Sequence, residues 1–113
     1  MENKIKKLLY DMTIAIEDIE NFLGQERKFE NYVNNKLLKA SVERKIEIIG
    51  EAMNRLLKLS PDIEIDNARR IVDTRNKIIH GYDEVEDTYI WAIIINYLPV
   101  LKSEIEKLSF SES

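Results

Sequence analysis

The sequence predicts an all-α protein, an antiparallel bundle of four to five helices. Three observations carry that prediction. Apolar residues recur at steps of three and four along most of the chain, the period of a helix with one buried face. No stretch alternates apolar and polar residues convincingly as a half-buried strand would. The 113 residues include only three glycines and two prolines, too little punctuation for the turns of a many-stranded sheet. The length fits one domain, with the bundle over 1–108 and a frayed tail over 109–113.

The first helix is expected from Ile5 to Leu23. Its stripe is Ile5, Leu8, Leu9, Met12, Ile16, Ile19, Phe22 and Leu23, and Gly24 supplies a stop. Phe29, Tyr32 and Val33 fit a short helical turn, and Asn34-Asn35 offers a cap for the next helix. That long helix runs from about Lys36 to Leu59. Its stripe is Leu38, Val42, Ile46, Ile49, Met53 and Leu56, widened by Leu37, Ala52, Leu57 and Leu59. Gly50 lies in its middle, where glycine costs roughly 1 kcal/mol against alanine, so a close approach by another helix is expected there. Ser60-Pro61 ends it, because a residue before proline is pushed out of the α region. Asp66 is the expected cap of a third helix carrying Ala68, Ile71, Val72, Ile78 and Ile79, closed by a left-handed Gly81. The last helix starts after Asp83 or Asp87 and buries Ile90, Trp91, Ile94, Tyr97, Leu98, Leu101, Ile105 and Leu108. Pro99 lies inside it and predicts a kink that frees the carbonyl of Ile95. Short connections make neighbouring helices antiparallel.

Composition narrows the function. Apolar residues make up 44% of the chain and charged residues 34%, a globular balance. The absence of cysteine excludes disulfides, thiolate nucleophiles and cysteine metal sites. Met1-Glu2-Asn3-Lys4 has no apolar signal-peptide core, and the longest apolar run, Ile90–Ile95, is far short of the roughly 20 residues of a membrane span. A cytoplasmic protein without a membrane partner is the expectation. A net charge of −4 argues against coating nucleic acid through overall basicity, though not against a local basic site.

The chemistry concentrates in Thr74-Arg75-Asn76-Lys77-Ile78-Ile79-His80-Gly81-Tyr82, which holds the single histidine. Asn76 and His80, four apart, share a helix face. Arg75 and His80, five apart, lie about 140° around a straight helix, and converge only if the helix ends near His80. Imidazole is the side chain suited to proton transfer near neutral pH, and a guanidinium offers paired donors for phosphate oxygens. From Asp66 to Lys77 four basic residues (Arg69, Arg70, Arg75, Lys77) face two acids (Asp66, Asp73). Arg70 and Lys77 are thereby candidate phosphate contacts, while the acidic run Asp83–Asp87 reads as a solvated helix start. One histidine without cysteine makes no zinc site unless carboxylates join it, and no His–Glu helical metal spacing is present. There is no phosphate-cradling glycine loop and no nucleophile elbow. Metal-free, cofactor-free cleavage of RNA phosphodiesters fits what remains, with His80 moving protons and Arg75 stabilising the phosphorane. An acid and a base are both needed, so a homodimer joining two His80 and two Arg75 side chains in one cleft would complete the site. The plain alternative is structural: a histidine that caps carbonyls and an arginine in a surface ion pair. Trp91 and the five tyrosines fit core and rim packing better than base stacking.

These residues resemble a family. Arg75-Asn76-x-x-x-His80-Gly81-Tyr82 is similar to the arginine, four residues, histidine, x, tyrosine signature of HEPN-domain ribonuclease toxins of the HepT type. Val42-Glu43-Arg44-x-x-Glu47-Ile48-Ile49-Gly50-Glu51-Ala52 resembles the family's other recurrent segment, and the order of elements is similar over nearly the whole chain. The resemblance implies a HEPN-like homodimeric bundle and a metal-independent endoribonuclease toxin of a HepT/MntA-like pair, with its active cleft at the dimer interface. Carried over by position, it implies catalytic roles for Arg75 and His80 and supporting roles for Asn76 and Tyr82. Tyr82 would be the site that a partner nucleotidyltransferase antitoxin modifies with AMP. A non-catalytic helical module that binds a minimal nucleotidyltransferase is the competing reading.

Overall fold

Residues 2–81 and 85–111 are described by a computed structural model, which is all-helical, with no strand among them. The elements are α1 (Asn3–Leu23), α2 (Phe29–Val33), α3 (Lys36–Leu59), α4 (Ala68–Ile79), α5 (Asp87–Ala92) and α6 (Leu98–Ser111). A π-turn over Ile93–Tyr97 joins α5 to α6 without a break.

The long helix α3 is the centre, packed on one flank against α1 and on the other against α4. Its predicted stripe is the core: Val42, Ile46, Ile49, Met53 and Leu56 are fully buried. Met12, Ile16 and Ile19 meet it from α1, Ile71 and Val72 from α4, and Ile90, Leu101 and Ile105 from the last helix. Four expected inward residues are instead exposed: Phe22, Leu37, Leu59 and Ile79. Each lies near a helix end, where the neighbouring helix no longer covers the stripe. Ala15 and Ile93, not on the predicted stripes, are buried.

The ends follow local chemistry. Asn35 caps α3, its Oδ1 accepting from the Leu38 N–H at 3.0 Å, and Gly24 closes α1 at φ 70°. Ser60 leaves the helix ahead of Pro61. Asp66 does not cap α4. Asn67, held left-handed at φ 56°, precedes that helix, and the Asp66 N–H donates to Glu104 Oε2 at 2.8 Å. Tyr97 fixes this entry, its hydroxyl donating to the carbonyls of Asn67 (2.9 Å) and Asp66 (3.3 Å). Longer-range tertiary contact therefore overrides the local cap.

Pro99 does not interrupt the last helix. It sits inside the continuous rod directly after the π-turn, where its missing N–H leaves one backbone bond unmade. The adjustment comes one turn earlier, where the Leu98 N–H reaches back five residues to Ile93 O, the bond of a π-turn. The start of α5 is tied to α3 by Lys39 and Asp87 at 2.9 Å. Trp91 packs on Tyr32 and Phe29, with ring centroids at 5.5 and 6.0 Å, the packing role expected of it. None of the described helices is long and apolar enough to cross a membrane.

Candidate active site

Gly50 sets the geometry. A Cβ on it would collide with Arg75 Cβ and lie 2.8 Å from the Ile71 carbonyl oxygen. The bare backbone therefore lets α4 press against α3 at Arg75, the close approach that a mid-helix glycine predicts. Glu51, the next residue, meets the arginine: its Oε2 lies 2.8 Å from Arg75 Nη2. Glu51 Oε1 is taken by Arg55 Nε at 3.1 Å, one turn along α3. On the other side Arg75 Nη1 donates to Asn76 Oδ1 at 2.9 Å. Arg75 Nε is buried and has no partner among the described residues. The guanidinium is thus held between a carboxylate and an amide, and the Arg75 side chain is about one-quarter exposed.

His80 follows directly after α4. Its N–H still donates to Asn76 O at 3.1 Å, and its backbone stays right-handed (φ −71°, ψ −5°) before Gly81 turns left-handed at φ 62°. His80 is exposed and stands one helical turn beyond Asn76. Arg75 and Asn76 are in direct contact, with His80 on the next turn. Tyr82, and with it Asp83 and Glu84 of the acidic run, lie outside the described residues.

Arg70 and Lys77 share the Asn76 side, in a groove of about 810 Å³ between α4 and the α5–π segment. Arg75 opens instead on the α3 side, into a smaller hollow of about 350 Å³ bordered by Arg44, Glu47 and Glu51. Arg75 and Asn76 stand on α4 and His80 follows its last residue, while the ion pair of Arg75 with Glu51 is a contact that sequence reasoning missed. The available signal was the position of Glu51 next to Gly50, on the flank of the closest helix approach, within reach of a long side chain from α4.

A family model described as HepT-like, Ribonuclease HepT-like, matches residues 12–108. The chain belongs to the HepT-like ribonuclease family. Among its relatives is the probable ribonuclease HepT of Thermococcus cleftensis, 36% identical over 112 residues, covering 96% of this chain and 98% of that one. Two proteins of Methanocaldococcus jannaschii named as candidate RNases are each 33% identical over 108 residues. They cover 92% of this chain and 90% and 86% of their own. No solved structure matches significantly. Membership in this ribonuclease family supports the expected RNA endonuclease, an enzyme whose substrate is RNA, on the all-helical fold described above.

Proposed function

We propose that this HepT-like protein is the toxin of a toxin–antitoxin pair, a metal-independent endoribonuclease working as a cytoplasmic homodimer. Arg75 and His80 of both subunits form one composite cleft, with Asn76 in support. In this reading one His80 takes the proton of the ribose 2′-hydroxyl as its oxygen attacks phosphorus. The second gives a proton to the departing 5′-oxygen, and the products carry a 2′,3′-cyclic phosphate and a 5′-hydroxyl. Arg75 faces the charge that builds on the phosphorane oxygens, and Arg70 and Lys77 hold flanking phosphates. A partner nucleotidyltransferase silences the enzyme by adding AMP to Tyr82, placing bulk and negative charge where RNA phosphate must enter.

The observation that carries the reading is the clamp on Arg75. An arginine held by Glu51 and Asn76, one turn before the only histidine, is prepared to meet a phosphate rather than merely to cover a surface. The test is RNA cleavage in EDTA, followed by intact mass after incubation with the partner nucleotidyltransferase and ATP. Cleavage should survive EDTA, fall by about 10²–10⁴ in His80→Ala, and vanish as the mass of AMP appears on Tyr82. Absence of cleavage by the unmodified protein, with binding of the nucleotidyltransferase intact, would favour the non-catalytic module.

A further inference from the structure

The groove between α4 and the α5–π segment is built from two ladders. Arg70, Asp73 and Asn76-Lys77 stand on successive turns of α4, facing Tyr89 and Asn96 across the gap. Its charged side chains, Arg70, Asp73 and Lys77, sum to +1 within a chain of −4. Its volume of about 810 Å³ lies in the range of roughly 300–1,000 Å³ that accommodates small organic groups.

Tyr89 is held in an unusual way. Its hydroxyl is bonded to Thr74 Oγ1 at 3.1 Å, and that hydroxyl in turn donates to Arg70 O at 2.8 Å. Thr74 is fully buried, so the polar end of Tyr89 points into the protein and the ring borders the groove. Lys77 Nζ rests over that ring, 4.3 Å from its centroid. An aromatic face anchored through its hydroxyl and covered by an exposed cation suits one class of ligand, a base attached to a phosphate. The phosphate draws the ammonium off the ring, and the base takes its place by stacking. Asn76 links this groove to the clamp, since it lines the groove and also accepts from Arg75.

We propose that the groove seats one nucleotide of single-stranded RNA beside the scissile phosphate, with Tyr89 as the stacking platform and Lys77 and Arg70 as phosphate ligands. Asn96, offered by the π-turn at the groove's edge, is the polar group placed to read the base. This inference deepens the ribonuclease reading and rests on it for the direction in which the strand runs towards Arg75.

The test measures binding apart from cleavage. A fluorescent single-stranded 2′-O-methyl RNA of about twelve nucleotides lacks the 2′-hydroxyl nucleophile and is titrated by anisotropy. Tyr89→Leu removes the ring and should weaken binding about tenfold or more. Tyr89→Phe keeps the ring, loses only the bond to Thr74, and should stay within about twofold. Lys77→Ala and Arg70→Ala, both at exposed positions, should each reduce the salt slope of log K by about one, whereas Lys6→Ala on α1 should not. Equal weakening by Tyr89→Leu and Tyr89→Phe, or an unchanged salt slope in Lys77→Ala and Arg70→Ala, overturns the proposal. If the Leu variant unfolds, the two cation variants decide alone. A wild-type protein that cleaves RNA while these variants bind normally leaves the ribonuclease reading standing and removes the groove. One that never cleaves, yet shows the Leu–Phe difference, does the reverse.

Discussion

At the scale of single residues, Glu51 is the informative side chain. It carries no chemistry of its own in the proposed reaction, but its two oxygens divide between Arg55 and Arg75. Glu51→Gln keeps the size and one acceptor while releasing the charge that orients the guanidinium. Cleavage should fall by up to about a hundredfold, the cost of a displacement near 1 Å. The melting temperature should barely move, because the pair is partly exposed and such pairs contribute little. A rate equal to wild type would show that Arg75 needs no clamp. The sequence makes Arg75, Asn76 and His80 legible because their spacing along one short segment is local information. Glu51 is 24 positions away from Arg75, and no helical period links residues on different helices. The same limit explains Tyr89, whose role depends on Thr74 and Lys77 lying across from it.

At the scale of elements, the close crossing of α3 and α4 depends on a missing methyl group. Gly50→Ala would drive a Cβ into the Ile71 carbonyl and the base of Arg75, and neither is the loose end of a flexible chain. Overpacking of this kind costs about 1–3 kcal/mol, enough to register as a lower melting temperature. Cleavage should fall further than stability alone explains, because α4 must slide away from Glu51. Retained activity together with a normal melt would mean that the helices part without harm. The helices themselves were readable: α3 runs over the predicted residues, with Asn35 starting it and Gly24 stopping α1 as their chemistry dictates. The entry to α4 was not. Asp66 is a good cap by type, but the tertiary bonds from Tyr97 and Glu104 decide the backbone there, and these come from about 30 to 40 residues away along the chain.

At the scale of the whole molecule, the smallest dimension is 19 Å, against 42 and 30 Å for the others. That is the thickness of about two helices, each near 10 Å across. A slab so thin leaves broad faces, and the proposed composite site requires one of them to meet its twin. Sedimentation should give twice the mass of the chain, and the dimer should be retained in Arg75→Ala even as cleavage is lost. A monomer at working concentration would deny the second histidine to the cleft. Stability against alkali is also a property of the whole. Burial, reinforced by Glu104, pushes the Tyr97 hydroxyl up to about 12 from its ordinary 10.0. Between those values the unfolded chain sheds a proton that the folded one keeps, so the native state binds more protons and stability falls as pH rises. The contribution is complete below pH 10 and lost through about 12. Tyr97→Phe should therefore flatten the loss of melting temperature across that window, while costing about 1 kcal/mol at neutral pH from its missing hydrogen bonds.

The π-turn ahead of Pro99 has a consequence for how this protein can vary. One extra residue in a helix advances everything beyond it by about 100°, so α5 and α6 keep separate rotational settings although they form one rod. Ile93 and Ile94 are both buried at this turn, and Tyr97 and Leu98 after them. The half that carries Tyr89 and the half that carries Leu101 and Ile105 are thereby uncoupled. A lineage can retune the groove lining through substitutions in the first half and leave the core of the second untouched. Deletion of a single residue within Ile93–Tyr97 would lock the two halves into one phase, forcing descendants to choose between the groove and the core.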